Sequence, residues 1–163
     1  MIIILMISSA LTFFSEDNTE EQEYNDYVFI NNNGIWLTTY ENQRLTFEYS
    51  PKELEYFLLQ NFDITPITYL VLNKPYDINQ YEVQRLTAFL RLKGVNVQFA
   101  CLPNQECQDD TLLVASCEGE YLVMNLKQAQ ENSVVKENNC ITLNHGDNRV
   151  IDRISYKILG IMD

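Results

Sequence analysis

The chain has 163 residues, of which 46% are hydrophobic and 12% aromatic, a size and composition typical of one domain with a real core. Its 23 acidic and 11 basic residues give a formal net charge of −12. This charge excludes a general binder of nucleic-acid backbones, because such binding needs clustered Lys and Arg side chains. The few Gly and Pro residues and the high apolar content exclude a disordered chain.

The most biased segment is residues 1–14, MIIILMISSALTFF, which holds no charged side chain. As a helix this run would reach roughly 21 Å, short of the roughly 30 Å hydrocarbon core of a bilayer. We interpret it as a hydrophobic leader, either a signal peptide or a membrane anchor, although no basic residue precedes the apolar run. The alternative is a buried element of a cytoplasmic domain.

The next segment, residues 15–26, carries six acidic residues and almost nothing apolar. This composition predicts a solvated acidic spacer. The other 17 acidic residues and all 11 basic residues lie in residues 27–163, which we predict to be a single globular domain with a moderately acidic surface.

Three short β segments open this domain: YVFI at 27–30, IWLTTY at 35–40 and RLTFEY at 44–49. The Asn33-Gly34 pair between the first two favours a hairpin, because both residues tolerate positive φ angles. Apolar and polar residues alternate cleanly in the third segment, as in a strand with one buried face. We therefore predict a three-strand meander, and any aromatic residues on its outward face, with Trp36 and Tyr40 as candidates, would bind a partner.

The middle of the chain predicts a helix followed by a βαβ unit. Ser50, Pro51 and Glu53 have the positions of an N-cap, a first helical residue and a capping-box acid, so we expect a helix from 50 to about 60. An apolar run at 67–72, helical spacing over 78–93 and a second apolar run at 95–102 then predict strand, helix and strand. Strands joined in this way are parallel, with a right-handed crossover.

The last third is richer in strands. We predict strands at 111–117 and 120–126 joined by a two-residue hairpin at 118–119, a strand at 140–143, and a final helix capped by Asp147 or Asn148. The element order βββ-α-β-α-β-ββ-β-α describes a single domain of the α/β class with a mixed sheet, and an α+β arrangement is the alternative.

Four cysteines allow three disulfide pairings. We favour Cys101 with Cys107, which closes a local loop, and Cys117 with Cys140, which joins neighbouring strands. Such bridges indicate an oxidising, extracytoplasmic compartment. Free buried cysteines are one alternative, and a metal site with His145 as a further ligand is another; because the spacing lacks the C-x2-C pair of structural zinc sites, no metal is expected.

Three runs of the chain carry a resemblance: YVFINNNGIWLTTYENQRLTFEYSPKELE, NKPYDINQYEVQRLTAFLRLKGVNVQFAC and NCITLNHGDNRVIDRISYKILGIM. Together they resemble small exported or membrane-anchored proteins of DPANN-type archaea. The residues that occupy the matching places are Phe47, Tyr49, Pro51, Glu53, Cys117, Cys140, Gly160 and Ile161. The resemblance implies an extracytoplasmic location and no particular activity.

Motifs for nucleotide, serine-hydrolase or zinc-protease chemistry are absent from the sequence, so no cofactor is expected. The single histidine, His145, lies between a predicted strand and the final helix and has the plain interpretation of a surface-loop residue. We predict a non-enzymatic extracytoplasmic or membrane-tethered domain that binds another cell-envelope protein or forms a homo-oligomer. One alternative is an envelope hydrolase or thiol enzyme that uses His145 with Cys140 or Asp147; another is a cytoplasmic ligand-binding regulatory domain.

Overall fold

The computed structural model describes residues 20–72, 80–103, 105–107, 109 and 111–163. Its first sheet is an antiparallel meander of four strands in chain order, which confirms the predicted meander and adds one strand to it. The strands are β1 (Glu21–Tyr24), β2 (Tyr27–Asn32), β3 (Ile35–Tyr40) and β4 (Gln43–Phe47).

The added strand, β1, lies inside the segment that we expected to be a solvated spacer. Its backbone pairs with β2 from Glu21 opposite Ile30 to Tyr24 opposite Tyr27, and Tyr24 packs against the core. The two acidic residues of this strand are exposed, and the alternate residues face inward. The strand can therefore pair with β2 and pack one face on the core although its composition is rich in charge. The predicted leader at 1–14 and the first part of the spacer lie outside the described residues.

The helix expected from 50 to about 60 is wrong, because only a single 3-10 turn, Lys52–Leu54, forms there. The capping box itself is present: the Ser50 N–H donates to Glu53 Oε2 at 2.6 Å, and the Glu53 N–H donates to Ser50 Oγ at 3.3 Å. After that turn the apolar residues do not share one buried stripe, since Tyr56 and Leu58 are exposed. Without such a stripe nothing stabilises a longer helix.

The second sheet has six strands in the order β7-β6-β5-β8-β10-β9. All neighbours are parallel except β9, which is antiparallel to β10. Its strands are β5 (Ile67–Leu72), β6 (Asn96–Cys101), β7 (Leu113–Val114), β8 (Leu122–Gln128), β9 (Ser133–Glu137) and β10 (Cys140–His145). Helix α1 (Gln80–Leu92) connects the parallel strands β5 and β6, as the βαβ prediction requires, and α2 (Arg149–Leu159) ends the fold.

The predicted hairpin at 118–119 is wrong. The exposed two-residue strand β7 pairs with β6 at the sheet edge, whereas β8 pairs in parallel with β5 and β10. Residues Leu122–Leu126 of β8 are all buried, which suits a strand covered on both faces inside a parallel sheet. The hairpin of this region instead joins β9 to β10, where Asn138 adopts a positive φ of 54°.

The two helices lie between the two sheets, so the molecule has a mixed α/β fold in a single domain. Phe47 of the meander stacks on Phe89 of α1 and packs against Tyr156 of α2, with ring centroids 5.4 and 4.3 Å apart. Helix α2 is buried on almost every side, including its polar residues Asp152, Arg153 and Ser155. Within the described ranges, no helix is long and apolar enough to cross a membrane.

Candidate functional site

The four cysteines lie in the two pairs that the sequence favours, and each pair is at disulfide distance. Cys101, the last residue of β6, pairs with Cys107, and the Cα atoms of the two are 5.6 Å apart. Cys117 pairs with Cys140, the first residue of β10, with Cα atoms 4.9 Å apart. These pairs fit an oxidising location outside the cytoplasm.

His145 is not a surface-loop residue as expected, because its side chain is buried and only 6% of the residue is exposed. It is the last residue of β10, at the edge of the sheet where the parallel strands end, and it faces the first turn of α1. There its Nδ1 atom lies 3.7 Å from Glu82 Oε2. The Nε2 atom has no hydrogen-bond partner within the described part of the chain.

The structure does not bring together Cys140 and His145, the two residues of the candidate thiol site. Cys140 and His145 are the first and last residues of one extended strand, roughly 16 Å apart, and the Cys140 sulfur is paired with Cys117. The Asp147 carboxylate accepts hydrogen bonds from Asn132 Nδ2 at 2.8 Å and from the Arg149 N–H at 3.0 Å. The N-cap residue of α2 is Asn148, whose side chain makes no capping hydrogen bond, and Asp147, the residue before it, accepts the N–H at the start of the helix.

The sequence did not indicate a buried ionic cluster at the junction of the meander and both helices. Arg85 of α1 forms an ion pair with Asp152 Oδ1 of α2, and both side chains are at least nine-tenths buried. Asp152 Oδ2 also accepts the backbone N–H groups of Glu48 and Tyr49, at 2.8 and 2.9 Å. Burial lowers the pKa of Arg85. The cluster ties three elements together, and each of its members has a structural partner.

Glu82 lies beside this cluster, and burial raises the pKa of its carboxyl group. His145 and Arg85 oppose that shift through their positive charge, while Glu48 adds to it. A protonatable carboxyl next to a histidine is chemistry that an acid–base catalyst uses, but here the two side chains are only 10% and 7% exposed. Among the described residues, no group of three His, Cys, Asp or Glu side chains could hold a metal ion.

Trp36 and Tyr40, the candidate partner-binding aromatics, do not face outward. They are 4% and 5% exposed, because on β3 they share the inner face that packs on the helices. The Tyr40 hydroxyl accepts a hydrogen bond from Lys93 Nζ at 3.0 Å. Neither side chain is available to a partner, so this expectation is corrected.

The outer face of the meander carries a different apolar group. We call Val28, Ile30, Ile35 and Leu37 the apolar patch. The first three are 42%, 41% and 40% exposed, and Leu37 is half-buried. The register brings them together, since Ile30 pairs with Leu37 across β2 and β3. Val28, Ile30 and Leu37 line one shallow depression of about 620 Å³.

Charged residues flank the apolar patch on opposite sides of the same face. Glu21 and Glu23 lie on β1, at one edge of the meander, and Arg44 lies on β4, at the other edge. All three side chains are exposed. The face therefore has two glutamates at one edge, apolar residues in the centre and one arginine at the other edge, and Asp26 lines the depression together with Arg44.

Comparison of the chain with protein-family models, with curated proteins and with solved structures finds no match.

Proposed function

We propose that this chain is a non-enzymatic extracytoplasmic domain that binds a second protein of the cell envelope through the apolar patch of its meander. The observation that carries the proposal is the exposure of Val28, Ile30 and Ile35 side by side on one sheet face. Scattered single apolar residues are normal on protein surfaces, but adjacent ones flanked by charges are typical of an interaction site.

Two other observations support the extracytoplasmic part of the proposal. Both cysteine pairs are at disulfide distance, and such bridges persist mainly in oxidising compartments. The apolar leader at 1–14 and the resemblance to exported proteins of DPANN-type archaea agree with that location. The positions of the candidate catalytic residues support the non-enzymatic part of the proposal. Cys140 is paired with Cys117 and lies at the opposite end of its strand from His145, so these two side chains do not form a thiol–histidine pair.

Site-specific photo-cross-linking in the native envelope tests this function. A photoreactive residue replaces Leu37 in the full chain, and the matched control carries it at Leu58, which is 86% exposed in the loop after the 3-10 turn. We expect a defined cross-linked product from position 37 and none from position 58. The absence of any product from position 37, with normal folding and export, contradicts the proposed function.

A further inference from the structure

We propose that the apolar patch is the contact surface between two copies of this chain, which pack sheet against sheet about a two-fold axis. The axis lies between the two sheets and runs along the strands, midway between β2 and β3. This inference rests on the proposed function, since it names the partner of the same surface.

The register of the meander arranges the residues of its outer face in rows across the four strands. One row reads Glu21, Ile30, Leu37 and Thr46 from β1 to β4. The next row reads Glu23, Val28, Thr39 and Arg44; Glu23 pairs with Val28, Thr39 pairs with Arg44, and the register at Ile30 sets Val28 opposite Thr39. The second row thus begins with an acid and ends with a base.

A two-fold axis along the strands places β1 of one copy over β4 of the other at the same height, and β2 over β3. Glu23 then faces Arg44 of the second copy, and Ile30 faces Leu37 of the second copy. Each contact occurs twice, because a two-fold interface is self-complementary. A carboxylate meets a guanidinium at both ends, and the apolar residues meet in the middle.

The arrangement of charges in these rows favours a second copy of the chain over an unrelated protein as the partner. A different protein would have to present a basic group opposite β1 and an acidic group opposite β4, on both sides of an apolar centre. A second copy of this chain presents that pattern without further requirement. Faces of antiparallel sheets pack about 10 Å apart with their strands within about 30° of each other, so the twist of the meander is compatible with the contact.

The area of the outer face of the meander determines how strongly we expect two copies to associate. Four strands about 4.8 Å apart and about five residues long form a face of roughly 15 by 17 Å. Two such faces bury less than the 1,200–2,000 Å² of a standard stable interface. We therefore expect a weak dimer with a dissociation constant on the order of 100 µM.

Charge reversal tests the proposed pairing. The full chain, in a detergent solution matched in density, is studied by sedimentation equilibrium as wild type, Arg44→Glu and Glu23→Arg. In either variant both interchain pairs become like-charged, so we expect each variant alone to associate about tenfold more weakly than wild type. An equimolar mixture of the two variants pairs Glu with Arg at both contacts, and we expect it to associate as wild type does.

Two further variants complete the experiment. Ile30→Asp should abolish the dimer, while the matched control Leu58→Asp, at an exposed site outside the meander, should leave it unchanged. All chains share residues 1–19, so any association through that segment is common to all samples. Circular dichroism and thermal unfolding establish that each variant is folded.

The outcomes separate this inference from the proposed function. Wild-type chain that remains monomeric at 1 mM, a dimer insensitive to both charge reversals, or a mixture that fails to recover association each overturns the dimer. If the cross-link from position 37 in the envelope joins a different protein and the purified chain is monomeric, the inference fails and the proposed function stands. If position 37 yields no cross-link at all, both fail.

Discussion

The buried contact between Arg85 and Asp152 provides the sharpest test of how this fold is held together. Asp152 receives three interactions: an ion pair with Arg85, and the backbone N–H groups of Glu48 and Tyr49 at 2.8 and 2.9 Å. In Asp152→Asn one oxygen still accepts the two N–H groups, but the amide nitrogen now faces a guanidinium. Since a buried cation then lacks its counterion, we expect a loss of about 3–5 kcal/mol of folding free energy.

The compensating change is Arg85→Met. The Arg85 guanidinium lies 5.9 Å from the ring centroids of both Phe47 and Phe89, so we expect the flexible side chain of a methionine at this position to pack against these rings. Alone, this change leaves a buried carboxylate with only its two N–H donors, and we expect a cost of about 3 kcal/mol. In the double variant no unpaired charge is buried, and we expect a total cost of about 2 kcal/mol, well below the sum of the single changes.

The measurement is urea unfolding without reductant, followed by near-ultraviolet circular dichroism, together with the melting temperature. A loss of about 4 kcal/mol corresponds to a fall of about 10 °C in a domain of this size. Thr46→Ser, at an exposed site on β4, is the matched control. If the cost of the double variant equals the sum of the two single costs, the ion pair contributes nothing as a pair and our account of this junction is refuted.

Three further predictions concern other sites. Burial raises the pKa of Glu82, so the folded chain holds this proton to higher pH than the unfolded chain does. The free energy of unfolding should therefore fall as pH rises from about 4.5 through the raised pKa. Glu82→Gln should remove this pH dependence, and equal slopes in the two chains would contradict the prediction. Replacing both cysteines of Cys117–Cys140 by Ala should lower the free energy of unfolding by about 3 kcal/mol, and the same change at Cys101–Cys107 by about 2 kcal/mol, because the bridge that closes the longer loop restricts the unfolded chain more. Urea midpoints that rank the two variants the other way would refute this. Gly146→Ala should cost about 1–3 kcal/mol in the same assay, since the added Cβ would lie 2.9 Å from the Gln130 carbonyl oxygen, and an unchanged midpoint would show that this backbone yields freely.

The local sequence pattern predicted an element correctly where the tertiary packing supports the same element. The β5-α1-β6 unit follows from two apolar runs on either side of a helical stripe, and both its existence and its parallel strands are confirmed. The capping box at Ser50 and Glu53 also forms, yet the helix expected after it does not. A cap specifies where a helix begins, whereas its length depends on packing that the next residues did not provide.

Strand pairing was harder to predict, because it depends on partners far away in the sequence. The apolar runs at 111–117 and 120–126 lie close enough to suggest a hairpin, but β8 pairs with β5 and β10 instead. No local signal distinguishes these choices, since a run that is apolar throughout suits any buried strand. The Arg85–Asp152 contact was unpredictable for the same reason: its two residues lie on different helices.

The burial of α2 explains why the outer face of the meander, our proposed interaction surface, carries aliphatic rather than aromatic residues. The apolar stripe of α2 predicts a helix with one buried face, but the end of the meander also packs against this helix. There Asp152 accepts hydrogen bonds from the backbone N–H groups of Glu48 and Tyr49, and the Tyr156 hydroxyl donates to the Tyr49 carbonyl oxygen. The inner face of the meander carries its large aromatic side chains, including Trp36 and Phe47, which are buried in the core. Alternation along the strands then leaves the smaller aliphatic residues on the outer face. The proposed binding surface therefore stays on the meander, but it consists of Val28, Ile30, Ile35 and Leu37 instead of Trp36 and Tyr40.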